Sequence, residues 1–182
     1  MWFLHHFIRV IWANLFGVFA HWYYAMKMRT DTDAYGQYWE HQDKWNHISS
    51  LEELQAFVRT DYEYKWDGYK GFFDHNNFSL EWFYKFGDCD DMGYYAYKKI
   101  KSLYGDKLEY CRMRGYADLT AKPAFYHYDC VFKFKDSGDY QLFNYGKIKT
   151  GKSLKELDNI MEKLYDKSYE FKKMVSWDCY WR

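Results

Sequence analysis

From Leu51 onward, apolar positions recur at intervals that name their own secondary structure. Ser49-Ser50-Leu51-Glu52-Glu53 holds two overlapping capping boxes, Ser49 with Glu52 and Ser50 with Glu53. Leu51, Leu54, Phe57 and Val58 follow at helical spacing and predict a short helix. Asp61 to Phe86 is rich in aromatics and glycine and reads as loop with short turns. Met92, Tyr95, Ala96, Ile100 and Leu103 return to helical spacing, and Gly105 is a natural stop. A helix of about four turns is therefore expected to begin at or just before Cys89. Beyond Gly105 the period changes. Leu108 to Tyr116, Tyr126 to Phe134 and Tyr140 to Tyr145 read as strands, the last two joined by the turn Lys135-Asp136-Ser137-Gly138-Asp139. Ser153 and Glu156 form another capping box, and Leu154, Leu157, Ile160, Met161 and Leu164 predict an amphipathic helix reaching about Lys173. The order predicts an α+β domain with a central helix packed on a small antiparallel sheet.

The first 47 residues are different. Val10 to Met26 is a run of 17 residues without a formal charge. A membrane span wants about 20. A secretory signal would show a basic start and a small-residue cleavage site, and neither is evident. A buried or partner-packed helix and an interfacial helix anchored by Trp12, Trp22, Tyr23 and Tyr24 are the two main readings, with a cleaved signal third. Residues 1–26 are thus a candidate contact for a membrane or a protein assembly. Lys27 to Asn46 shows no clean period and reads as a connector or irregular packed arm. The expected organisation is an apolar N-terminal helix and arm over 1–47, then one domain over 48–182.

Composition narrows the function classes. The chain has 182 residues, one proline, and 26 basic against 26 acidic groups. Such a balance offers no dominant basic field for phosphates, so nucleic acid is not an expected partner, although 21 Tyr and 9 Trp supply stacking surfaces. The core is expected to be more aromatic than aliphatic. Four cysteines, at 89, 111, 130 and 179, make neither a disulfide scaffold nor a C-x-x-C zinc site. They suit a reducing, cytoplasmic compartment, with membrane or virion association as alternatives.

Candidate chemistry centres on Cys89. A cysteine in the first turn of a helix faces unpaired N–H groups and the positive end of the dipole, which favour the nucleophilic thiolate and can hold an oxyanion. Asp88, Asp90 and Asp91 flank it and oppose that effect unless neutralised. Arg112 and Arg114 are candidate partners for Asp91. A metal site on Asp88, Asp90 and Asp91 is not expected, because adjacent residues diverge around a helix. Cys111, Cys130 and Cys179 read as packing residues. His127, 38 residues downstream on a predicted strand, is the candidate base. Asn144, on the paired strand, can orient the imidazole through its amide oxygen. Asp129 shares the face of His127 but lies along the same strand, at a poorer angle. Tyr64, Trp66 and Trp82 are candidates for an oxyanion side chain.

Gly87-Asp88-Cys89-Asp90-Asp91 ahead of a helix, His127 on a strand and Leu142-Phe143-Asn144 on the next resemble the transglutaminase-like cysteine peptidase family of the papain-like superfamily. Tyr62-Glu63-Tyr64-Lys65-Trp66-Asp67 and Glu81-Trp82 are similar to its lead-in, so the resemblance covers roughly 48–150. In that family Gly-x-Cys-x-Asp opens the core helix, and a strand His and Asp complete the triad. The resemblance implies attack of Cys89 on an amide or peptide carbonyl, a thioester, and no cofactor. Asn144 stands where the family usually has Asp, although Asn serves in papain-type triads. Small bacterial and phage members occur in the superfamily, some without activity. The alternative is therefore a catalytically inactive papain-like scaffold, structural or binding in role and docked through its apolar N-terminus.

Overall fold

The computed structural model describes residues 19, 22, 23, 26, 30, 32–64, 86–118, 120–121 and 125–179. Its helices are α1 (Thr32–His47), α2 (Leu51–Thr60), α3 (Cys89–Tyr104) and α4 (Leu154–Tyr165), with a 3-10 turn at Gly105–Lys107. Its strands are β1 (Glu63–Tyr64), β2 (Phe86–Gly87), β3 (Leu108–Asp118), β4 (Phe125–Phe134), β5 (Tyr140–Asn144), β6 (Lys147–Gly151) and β7 (Val175–Cys179). The α+β class expected from sequence is the class observed. Contacts divide the chain into two compact units, 1–48 with 56–91, and 49–55 with 92–182, so the boundaries fall inside α2 and α3.

In the first unit, α1 occupies the stretch expected to be an irregular arm. It has no strong apolar stripe for a periodicity reading to find. Polar pairs support it instead: Lys44 Nζ meets Glu40 one turn back at 3.1 Å and Asp61 at 3.0 Å. On its packed side the buried His41 ring lies 4.7 Å from Phe57 and Trp45 5.6 Å from the same ring. β1 and β2 form a two-residue parallel pair, Tyr64 opposite Gly87.

The second unit is built on an antiparallel sheet of order β6-β5-β4-β3-β7. Two of its strands were not anticipated. β6 (Lys-Ile-Lys-Thr-Gly) is polar because it is an edge, where lysines blunt further pairing. β7 follows the C-terminal helix, which was expected to reach about Lys173 and falls short of it. That helix stops at Tyr165, and Asp118 Oδ2 takes the backbone N–H groups of Lys172 and Lys173, both at 2.7 Å. β7 lays Trp177 across Gly115, where any Cβ would come within 2.5 Å of the indole.

Of the two overlapping boxes at Ser49-Ser50 the Ser50–Glu53 one forms, and so does the Ser153–Glu156 box. Ser50 Oγ accepts from Glu53 N–H (3.1 Å) and Ser153 Oγ from Glu156 N–H (3.2 Å). Each glutamate reaches back one residue beyond the cap, to the N–H of Ser49 or of Lys152.

Cross-strand pairs in an antiparallel sheet share a face. The pairings Arg114↔Asp129, Tyr116↔His127 and Val131↔Leu142 define one face. Met113↔Cys130, Cys111↔Phe132 and Cys130↔Phe143 define the other. α4 covers the first: Leu157 and Met161 cluster with Tyr116, Phe125, Val131 and Leu142. Arg114 secures it there, with two parallel bonds of 2.9 Å to Asp158 and a third of 2.7 Å to Asp178 on β7. From Met92 onward α3 covers the second face. Its buried Met92, Ala96 and Ile100 lie outside the α4 cluster, Tyr104 meets the Phe134 ring at 5.3 Å, and Gly93 approaches the Tyr128 backbone. The unit is therefore three layers, with the sheet between α3 and α4. Each fully buried large apolar side chain in these two cores contributes about 1.5–3 kcal/mol.

Candidate functional site

The Cys89 turn is a densely capped helix start. Asp88 precedes the helix, and its Oδ1 accepts from Asp90 N–H at 3.3 Å. Asp91 reaches back to accept from Asp88 N–H at 3.3 Å. The two carboxylates thus cap α3 reciprocally, in the manner of a capping box. The Tyr62 hydroxyl donates to the Asp88 carbonyl at 3.1 Å. Burial and the carboxylates of Asp91, Asp88 and Asp90 push that phenol well above its ordinary range, so it stays a donor. Gly87 is required by this crowding, because a Cβ there would lie 2.7 Å from both Asp91 Oδ2 and the Tyr62 hydroxyl. Much of the Gly-Asp-Cys-Asp-Asp signature is thus engaged in starting the helix.

Cys89 is half-buried. Its sulfur and the carboxylates of Asp88 and Asp90 lie within 4.8 Å of one another. Adjacent residues diverge as expected only for Asp91, which turns back under the cap.

His127 belongs to a second cluster. The ring is 3 % exposed, Asp129 0 % and Asn144 9 %. On a strand, positions two apart share a face, so Asp129 reaches the imidazole after all: its Oδ1 lies 3.1 Å from Nε2, close but not aligned as a hydrogen bond. The β4–β5 register carries Asn144 to the level of Asp129. Its amide nitrogen donates to Asp129 Oδ2 at 3.1 Å and stands 3.1 Å from His127 Nε2. The nitrogen, not the expected oxygen, therefore faces the ring. The Tyr165 hydroxyl completes the group, 3.5 Å from Nε2. Burial pushes the Asp129 carboxyl up, while His127 and the Asn144 amide pull it back part of the way.

Aromatic rings wall the cluster, with Phe125, Tyr145 and Tyr165 at 6.2, 5.6 and 5.2 Å from the imidazole. Tyr145 has φ 44° and Gly146 φ 69°, the paired left-handed residues of a two-residue hairpin turn. A tyrosine is strained there. The Gln55 amide holds the turn through the Gly146 carbonyl at 3.2 Å.

The expected site residues are distributed as follows. His127 and Asn144 come together, and Asp129 joins them although its place along the same strand gave it the poorer expected angle. They lie on the α4 face of the sheet, whereas α3 from Met92 onward lies on the other. Cys89, Asp88 and Asp91 fall in the first unit, and His127, Asn144 and Arg114 in the second. Arg114, expected opposite Asp91, commits its guanidinium to Asp158, Asp178 and Ser176. Arg112 Nη1 donates to the Cys111 carbonyl. Tyr64 is exposed on β1, while Trp66 and Trp82 lie outside the described residues. Cys111 and Cys130 are buried in the sheet, as packing residues.

No protein-family model, curated protein or solved structure matches the chain.

Proposed function

We propose that the protein is a non-catalytic scaffold of the papain-like kind, structural or binding in role, in which the Cys-His-Asn signature has been absorbed into architecture. One observation supports this above the others. The His127 side chain and helix α3 from Met92 to Tyr104 occupy opposite faces of one sheet. A base that serves a thiol at the start of that helix belongs on the helix's own face. The β4 positions of that face next to His127 are Tyr126 and Tyr128, which cannot replace an imidazole. His127 also has local employment with Asp129, Asn144 and Tyr165, and the Asp88 and Asp91 carboxylates have theirs in the cap.

A second reading keeps the chemistry. In it Cys89 attacks an amide or peptide carbonyl, His127 moves the proton, Asn144 and Asp129 hold the ring, and a thioester is resolved by water or an amine. It is favoured by the half-buried thiol in the first turn of α3 and by an imidazole whose hydrogen-bonding contacts among the described residues all fall on Nε2. An electrophilic acyl probe separates the two. The scaffold reading expects slow labelling of Cys89 that does not change in His127→Ala. Rapid labelling lost in Cys89→Ala and depressed in His127→Ala would establish the enzyme instead.

A further inference from the structure

The five-stranded sheet ends at β6, a strand with a neighbour on one side only among the described residues. The two-residue turn Tyr145-Gly146 before it sets the hydrogen-bonding phase. Asn144 and Lys147 flank that turn and exchange both backbone bonds, and such pairs alternate along an antiparallel ladder. Lys147, Lys149 and Gly151 therefore bond inward to β5, while Ile148 and Thr150 turn their N–H and C=O groups outward. Side chains alternate as well. Lys147 and Lys149 stand opposite Asn144 and Leu142 on the α4 face, and Ile148 stands opposite Phe143 on the other.

Charge marks the same edge. From Tyr140 to Lys155 the chain holds four lysines, Lys147, Lys149, Lys152 and Lys155, and no acid. All four are exposed, and among the described residues none of them forms an ion pair. The next acid along the chain, Glu156, accepts from the Lys152 backbone N–H at 2.8 Å. Lysines on an edge repel a second copy of that edge and disfavour a neutral strand. The same charges favour a strand that brings carboxylates, so the edge is selective rather than closed. A phosphate backbone or an anionic lipid surface would meet the lysines but has no N–H to offer the Ile148 and Thr150 carbonyls. An extended acidic peptide meets both demands.

We propose that the β6 edge docks an extended acidic peptide as a sixth strand, in the pattern acid–apolar–acid. The acids stand opposite Lys147 and Lys149, and the apolar residue lies beside Ile148. The proposal rests on the scaffold reading and names the partner of that scaffold. The test uses the full chain and a short fluorescent peptide of alternating glutamate and valine, read by anisotropy, with alternating lysine and valine as the comparison. Binding is expected for the glutamate peptide only, with slowed amide exchange at Ile148 and Thr150. It should weaken about tenfold or more in Lys147→Glu/Lys149→Glu. Thr150→Pro keeps every lysine and removes an outward N–H, a change that an edge strand tolerates. It should also weaken binding about tenfold, with an unchanged far-ultraviolet spectrum. No binding of the glutamate peptide overturns the proposal. So does binding that Thr150→Pro leaves unchanged, which makes the edge a charged patch only. Tighter binding of a single-stranded oligonucleotide overturns it too, and makes nucleic acid the occupant. Failure of the scaffold reading would look different: Cys89-dependent acyl transfer, measured without the peptide.

Discussion

Asp129 and His127 form a nearly sealed polar pair, and removing one partner should cost far more than its contacts alone suggest. The pair is 0 % and 3 % exposed, so water cannot compensate the group left behind. An exposed pair of this kind contributes about 0–1 kcal/mol. Breaking a buried one costs about 3–5 kcal/mol, because the survivor stays out of water after losing the group opposite it. Asp129→Leu leaves the imidazole beside an apolar branch and takes an acceptor from the Asn144 amide. His127→Phe fits the aromatic wall in shape but leaves the carboxyl with only the Asn144 amide. Each should lose about 3–5 kcal/mol in urea unfolding, and about 2–4 °C of Tm per kcal/mol for a chain of this size. The double variant removes both polar groups. Its cost should therefore fall short of the sum by about 3 kcal/mol, a coupling expected of residues in contact. Additivity to within about 0.5 kcal/mol, or a cost below about 1 kcal/mol for either single change, would refute the picture of two coupled buried polar groups.

Three further outcomes are expected. Gly87→Ala forces a Cβ against Asp91 and Tyr62 and should cost about 1–3 kcal/mol, with faster amide exchange confined to the first turn of α3; unchanged exchange there would contradict the capping account. Gly115→Ala drives a Cβ into the Trp177 indole, so β7 should detach, seen as a red shift of tryptophan emission and protease sensitivity beyond residue 170. Asp118 accepts from Thr120, Ala121, Lys172 and Lys173, and although burial pushes its carboxyl up, hydrogen bonds led by Thr120 hold it below the usual carboxylate range. Its contribution is therefore present above the unfolded value of about 3.9 and is lost as pH falls below it. Asp118→Asn turns an acceptor into a donor facing N–H groups, so it should cost about 2–4 kcal/mol at neutral pH and flatten the acid limb of the stability curve.

What the sequence revealed follows from which forces are local. α2, α3, β3, β4, β5 and the start of α4 were legible because periodicity and capping residues act within a few positions. Glu53 and Glu156 announced two of those caps. α1 was not legible, because side-chain pairs such as Glu40–Lys44 and a tertiary ion pair to Asp61 hold it where no apolar stripe does. The overrun of α4 came from Lys167 to Lys173, whose helix-tolerant residues conceal a capture by Asp118 some fifty positions earlier. At the candidate site, the His127 and Asn144 association was readable from strand spacing. Asp129 was readable as well, since a side chain two positions along a strand shares the face and its reach makes up for the poorer angle. Which face of the sheet α3 would take was not readable. Both faces of β3 and β4 are largely buried, so neither strand advertises its partner helix.

The most direct test of the central claim is the pH dependence of Cys89 alkylation, followed by mass spectrometry of its peptide in wild type and in His127→Phe under conditions where both are folded. If His127 is an architectural residue on the α4 side of the sheet, the two curves coincide and show a single titration. A second inflection in wild type that disappears in the variant would mean that the imidazole governs the thiol, and the scaffold account would be wrong.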